Sequence, residues 1–119
     1  MRNNLHTLAF ALITSFASIN ASAEFFKNGS DLSKEALAFD RVAEGRASSA
    51  DFQQSAAFNG YIAGAVDVLH RINICPPSGT TLDQIASIVS KYLKAHPERW
   101  GNPGEAIILN SLRPVFPCK

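Results

Sequence analysis

Apolar side chains recur at helical spacing along most of the chain. From Phe58 to Pro76, read at about 100° per residue, Phe58, Ile62, Ala65, Leu69 and Ile72 share one broad stripe, with Tyr61, Val66 and Val68 at its edges. Gly60, Gly64, Asp67 and Arg71 fall together on a narrow strip roughly opposite. Two glycines inside a helix each cost about 1 kcal/mol relative to alanine. Close approach of another backbone across the bare strip would compensate, with Asp67 and Arg71 closing its end. The pattern predicts a long central helix packed on two sides. It starts behind Ser48 and Asp51, which have capping-box spacing, and runs to about Ile74, where Cys75-Pro76-Pro77 stops it.

Three further helices are legible around it. Leu32, Ala36, Phe39 and Ala43 repeat at helical spacing behind Ser30 or Asp31 as cap, and Gly45 suits the left-handed position after the end. Thr81 and Gln84 form a capping box for a third helix carrying Leu82, Ile85, Ile88, Val89, Tyr92 and Leu93, which Pro97 ends. Asn102 as cap and Pro103 in the first turn open a fourth, with Ile107, Ile108, Leu112 and Val115 as buried candidates. Pro114 should kink or end it, because proline cannot bond the carbonyl four residues back. No strand pattern or repeat competes. The expected fold is all-α: a small single-domain bundle of about four helices around a long central one, held by one disulfide.

The amino-terminal segment changes how much of the chain belongs to that domain. Arg2 precedes an apolar run, Leu8 to Ile19, broken only by Thr14, Ser15 and Ser18. Ala21-Ser22-Ala23 then provides the small-x-small pattern read by signal peptidase. A run of roughly 12 apolar residues is too short to cross a bilayer core of about 30 Å, which weighs against a membrane anchor. Residues 1–23 read as a secretory signal peptide cut between Ala23 and Glu24, and residues 24–119 as the exported domain. Glu24-Phe25-Phe26 is expected to tuck against that domain.

Charge and cysteine count then narrow the partners. Removing Arg2 leaves ten basic side chains against ten acidic ones, with no basic block or stripe. Nucleic-acid binding needs clustered Lys and Arg to displace counterions, so neither nucleic acid nor an anionic membrane surface is an expected partner once the leader is gone. Cys75 and Cys118 are the two cysteines. In an oxidising compartment they allow a single intramolecular pairing, closing a loop of about 44 residues and contributing roughly 4 kcal/mol in the chain-entropy model. No Cys-x-x-Cys or Cys/His cluster surrounds either one, so a metal site there is not expected.

Candidate chemistry is sparse. Asp67 and His70 lie three apart, but a catalytic or metal role needs a third partner and a pocket. His96 precedes proline at a helix end, where an imidazole suits the free carbonyls and the negative dipole end. Trp100, the one tryptophan, either anchors a partner or plugs the gap between the third and fourth helices; the usual burial of tryptophan favours the plug. Tyr61 and Tyr92 read as core residues with a bonded hydroxyl. No serine, threonine or lysine sits in a nucleophile motif. No catalytic residue, cofactor or metal is expected.

Several pieces stand in a particular order: Gly60-Tyr61-Ile62-x-Gly64-x-x-Asp67, then Cys75-x-Pro77 with Gln84, then Tyr92-Leu93-x-x-His96-Pro97-Glu98, and finally Phe116-Pro117-Cys118-Lys119. Together with the leader they resemble the periplasmic immunity proteins of type VI secretion amidase effectors, the resistance-associated or Tai immunity family, over about Gly29 to Lys119. The resemblance implies a small helical domain, often a homodimer, that binds a peptidoglycan amidase in the periplasm and blocks its cleft. Many members carry an additional cysteine pair; here Phe58 occupies one of those positions and the first helix has no cysteine. Pro114 stands where a good helix former is usual. Rigid connections punctuated by proline and glycine, Pro76–Thr80 and Pro97–Gly101, are the candidates for entering a partner's cleft. Glu98, Arg99 and Trp100 make the second the preferred one. The alternative function is a small periplasmic helical chaperone or stress protein without a toxin partner; a hydrolase would need a pocket with convergent polar groups.

Overall fold

Three of the helices begin with a reciprocal cap. In the computed structural model, which describes residues 26–119, Asn28, Ser48 and Thr81 each accept from a backbone amide three residues on. The side chains of Asp31, Asp51 and Gln84 return the bond to the cap's own amide. The resulting elements are α1 (Gly29–Ala43), α2 (Ser49–Leu69), α3 (Leu82–Ala95), a single 3-10 turn (Pro97–Arg99) and α4 (Gly104–Leu112). The fold is an all-α bundle of four helices with one disulfide. The expected leader and the expected cleavage between Ala23 and Glu24 fall outside the described residues.

One core joins the helices. Leu32, Ala36 and Phe39 of α1 meet Phe58 and Ile62 of α2, Ile85, Val89 and Leu93 of α3, and Ile107, Ile108 and Leu112 of α4. Each such aliphatic or aromatic side chain contributes about 1.5–3 kcal/mol on burial. The Phe39 and Phe58 rings pack tilted, with centroids 5.6 Å apart. Polar ties fix the helix pairs. Arg41 Nε donates to Asp51 Oδ1 at 3.0 Å across the α1–α2 hairpin. Ser90 Oγ and Lys94 Nζ of α3 both donate to the Asp40 carboxylate of α1.

The structure corrects the expected helix ends. The cap of α1 is Asn28 rather than Ser30 or Asp31, because Asn28 is extended and its own side chain reaches the amide of Asp31. α4 starts at Gly104 with Pro103 at the cap position and no side-chain cap. Asn102, expected to cap it, instead lends its carbonyl to the amide of Gly29 at 2.9 Å. Pro114 lies beyond α4, which stops at Leu112, and Val115 is half exposed rather than buried. Phe26, expected to tuck in, is fully exposed.

The larger correction concerns α2. It ends at Leu69 instead of about Ile74. His70 is extended, Arg71 turns left-handed at φ 63°, and the Leu69 carbonyl accepts from the amides of Ile72, Asn73 and Ile74. A left-handed arginine costs about 1–2 kcal/mol against the right-handed conformation. This tight turn brings Ile74 back to full burial, while Ile72, assigned to the buried stripe, stands 73% exposed. Continued helix would have carried Ile74 away from the core.

Nor is α2 packed on two sides. Gly60, Gly64, Asp67 and Arg71 are exposed, and a Cβ added at either glycine would meet nothing within 4 Å. Among the described residues nothing across the strip bonds Asp67, so the anchoring role expected of it is not seen. With α1, α3 and α4 gathered over the Phe58–Ile62 face, the small-residue face is left to solvent. Close backbone approach occurs elsewhere: a Cβ on Gly29 would lie 2.7 Å from Trp100 Cα, where the start of α1 rests on the turn after α3.

Because the strip is open in the single chain, Gly64→Ala is expected to stabilise the monomer by about 0.5–1 kcal/mol through helix propensity alone. Urea unfolding of protein shown to be monomeric measures this, and a loss of stability that appears only as concentration rises would mean that a second copy covers the strip. Cys75 and Cys118 are bonded, 43 residues apart in sequence. Replacing both with serine is expected to lower stability by about 4 kcal/mol, read from the shift in the same urea curve. The third prediction concerns Asp51. The Arg41 guanidinium, followed by the Ser48 amide, holds its carboxyl far below the usual carboxylate range. A depressed folded value gives stability that is present above the unfolded value of about 3.9 and is lost as pH falls through the folded one. Asp51→Asn should therefore melt lower than wild type at pH 7, with the gap closing as melting is followed down through the acid range.

Candidate functional site

The connection after α3 is built from the inside out. His96 ends the helix with its amide bonded to the Tyr92 carbonyl at 3.0 Å, and its ring packs on Tyr92 with centroids 4.4 Å apart. Pro97 then starts the 3-10 turn, closed by the amides of Arg99 on His96 and Trp100 on Pro97. Trp100 is half-buried against the core. Its indole N–H donates to the Leu93 carbonyl at 2.9 Å, and its own carbonyl accepts from Ser30 at 2.9 Å. It occupies the junction of α1, α3 and the turn, so its polar atoms serve this chain.

Glu98 and Arg99 project from that anchored turn and are exposed. Glu98 Oε1 accepts from His96 Nδ1 at 3.0 Å and lies 3.8 Å from Arg99 Nε. Its own backbone amide, and then the His96 imidazole, hold the Glu98 carboxyl below its ordinary value. Of the three residues singled out here from the sequence, two offer charge to a partner and the third holds the turn in place.

The other connection, Cys75 to Thr81, is fixed at its start and in its middle. The Cys75 amide donates to the Phe116 carbonyl at 2.8 Å, beside the disulfide to Cys118. Thr80 closes on the Pro77 carbonyl through both its amide and its hydroxyl, with Gly79 left-handed between them. An open groove of about 540 Å³ runs along this connection, bordered by His70, Arg71, Ser78 and Thr80.

The Gly60, Tyr61, Gly64 and Asp67 motif is divided by the structure. Tyr61 points toward α4: a Cβ on Gly104 would lie 2.7 Å from its hydroxyl, so glycine there lets α4 approach α2. Burial, and then the Glu105 carboxylate, push the tyrosine up from its ordinary pKa. Lys27 Nζ sits 5.2 Å above the ring centre while pairing with Glu35. The glycines floor a shallow, mostly apolar groove that Tyr61 also lines, with Ala65, Val68, Leu69 and Glu105.

Asp67 and His70 are exposed at the end of α2, and among the described residues no third metal-ligating group joins them. Among the described residues no three His, Cys, Asp or Glu side chains gather as a metal site would require. The described helices include none long and apolar enough to cross a membrane. What reading the sequence missed is the turn at residues 70–73. Arg71 has the positive φ, and the pattern of apolar spacing alone ran a helix straight through it. The proline pair at Pro76 and Pro77 marked a stop but not where the helix had already ended.

A comparison with curated proteins finds no match. The family model for the Rap1a immunity proteins matches residues 28–118, which take in all four helices and both cysteines. That match places the molecule among immunity proteins. The chain belongs to the Rap1a immunity protein family.

Proposed function

We propose that the protein is exported to the periplasm and there binds and silences a peptidoglycan amidase delivered by type VI secretion, catalysing nothing itself. The observation that carries this reading is family membership across the whole helical body. The amidase and the compartment come from the ordered motifs that resemble the amidase immunity proteins and from the leader at residues 1–23. An amidase of this kind keeps a cysteine and a histidine in a cleft, and a rigid element lodged there excludes substrate without reacting. Rigidity matters because every side chain or loop ordered on docking subtracts about 0.5–1.5 kcal/mol from the affinity.

The chain has the means to limit that loss. The disulfide ties the exit of α2 to the carboxyl terminus, and the turn after α3 is held by Trp100. Glu98 and Arg99 stand on this anchored turn, which supports it as a contact region. The homodimer that the resemblance implies has a suitable surface in the open face of α2. Gly60 and Gly64 leave room there for close approach by a second helix.

Co-expression with amidase effectors directed to the periplasm tests the reading. Cells making the full chain are expected to grow where cells with the effector alone lyse, and the effector is expected to co-purify with the processed protein from the periplasmic fraction. Protection against none of a panel of such amidases, with none retained on the protein, would overturn it.

A further inference from the structure

The core accounts for the turn that ends α2 but not for the arginine that makes it. Burying Ile74 requires a residue in the left-handed conformation at position 71. Glycine adopts it freely, and asparagine more readily than other side chains. An arginine holds it instead, with its side chain exposed and, among the described residues, in no ion pair. Backbone strain kept against an easier alternative gathers at ligand-contacting segments. Next to it Ile72 is 73% exposed, and Val68, one turn earlier, 71%. A single exposed aliphatic residue is ordinary, but two beside an unpaired cation make a surface of mixed character suited to a protein partner.

The turn is also preorganised. Three amides converge on the Leu69 carbonyl, the Arg71 amide donates to the Ile74 carbonyl at 2.9 Å, and the chain then enters the core at Ile74. Cys75 follows immediately, bonded to Phe116 through its amide and to Cys118 through sulfur. A segment of four residues is thus fixed at both ends and presents Arg71 and Ile72 outward with little ordering left to lose.

Resting on the immunity reading above, we infer that residues 70–73 are the segment that enters the effector, Ile72 filling an apolar pocket and Arg71 pairing with a carboxylate at its rim. The partner surface is therefore apolar at its floor and acidic at its edge. An aliphatic side chain seated in a pocket acts mainly on the dissociation rate, and a rim charge on the association rate and its salt dependence. α3 separates this turn from the one bearing Glu98 and Arg99. At 1.5 Å per residue its 14 residues span about 21 Å, so the two turns would meet different parts of the effector's surface.

The test uses the full chain and an amidase effector that the wild-type protein has been shown to neutralise in periplasmic co-expression. Ile72→Asp and Arg71→Glu should each weaken binding by roughly tenfold or more, the range of interface hot spots. Ile72→Asp is expected to raise the dissociation rate, and Arg71→Glu to lower the association rate and flatten its salt dependence. Arg71→Gly separates binding from folding: it should melt at or above the wild-type temperature, since the left-handed position suits glycine, and still bind less tightly. If folded Ile72→Asp and Arg71→Gly proteins protect cells and hold the effector as wild type does, this inference is overturned and the immunity reading stands. A wild-type protein that neutralises no amidase overturns both.

Discussion

Burial of Ile74 is the constraint from which one end of the molecule follows. The side chain lies past the end of α2 and can reach the core only if the chain reverses within four residues of Leu69. Reversal at that distance calls for a left-handed residue, which falls on Arg71, and for stacked amides on one carbonyl. It throws Ile72 outward and delivers Cys75 beside Phe116, where the sulfur can meet Cys118. Full burial of an isoleucine gives about 1.5–3 kcal/mol, comparable to or larger than the 1–2 kcal/mol or so that the left-handed arginine costs. The disulfide then makes the arrangement hard to undo.

The opposite end is held by a different device. Gly29 lies against the backbone of Trp100, and the amides of Gly29 and Ser30 donate to the carbonyls of Asn102 and Trp100. Gly104 returns a bond to Lys27, so the entry to α1 and the entry to α4 are laced together. A domain this small has a modest core, and total stabilities near 5–15 kcal/mol leave little reserve. The disulfide cross-links one end and the backbone bonds interlock the other. For an immunity protein, rigidity of this kind lowers the ordering cost of docking on a partner.

The sequence by itself determined the helices, because caps and periodicity are local. Ser48 with Asp51 and Thr81 with Gln84 bond within one turn, and Phe58, Ile62, Val89 and Ile107 face inward as their spacing requires. With two cysteines in the chain, the pairing of Cys75 and Cys118 was equally legible. The ordered motifs led to the immunity family that the comparison then showed. Only the tertiary structure decided where α2 stops: at helical spacing Ile72 falls on the apolar stripe and Ile74 nearly opposite it, yet the core takes Ile74 and leaves Ile72 outside. It also decided which face of α2 is covered. Small residues permit close packing but do not compel it, so the Gly60 and Gly64 strip reads the same whether a neighbour lies on it or not. The same ambiguity surrounds Trp100: its place between α1 and α3 depends on Gly29, seventy-one positions away, and no local pattern connects them.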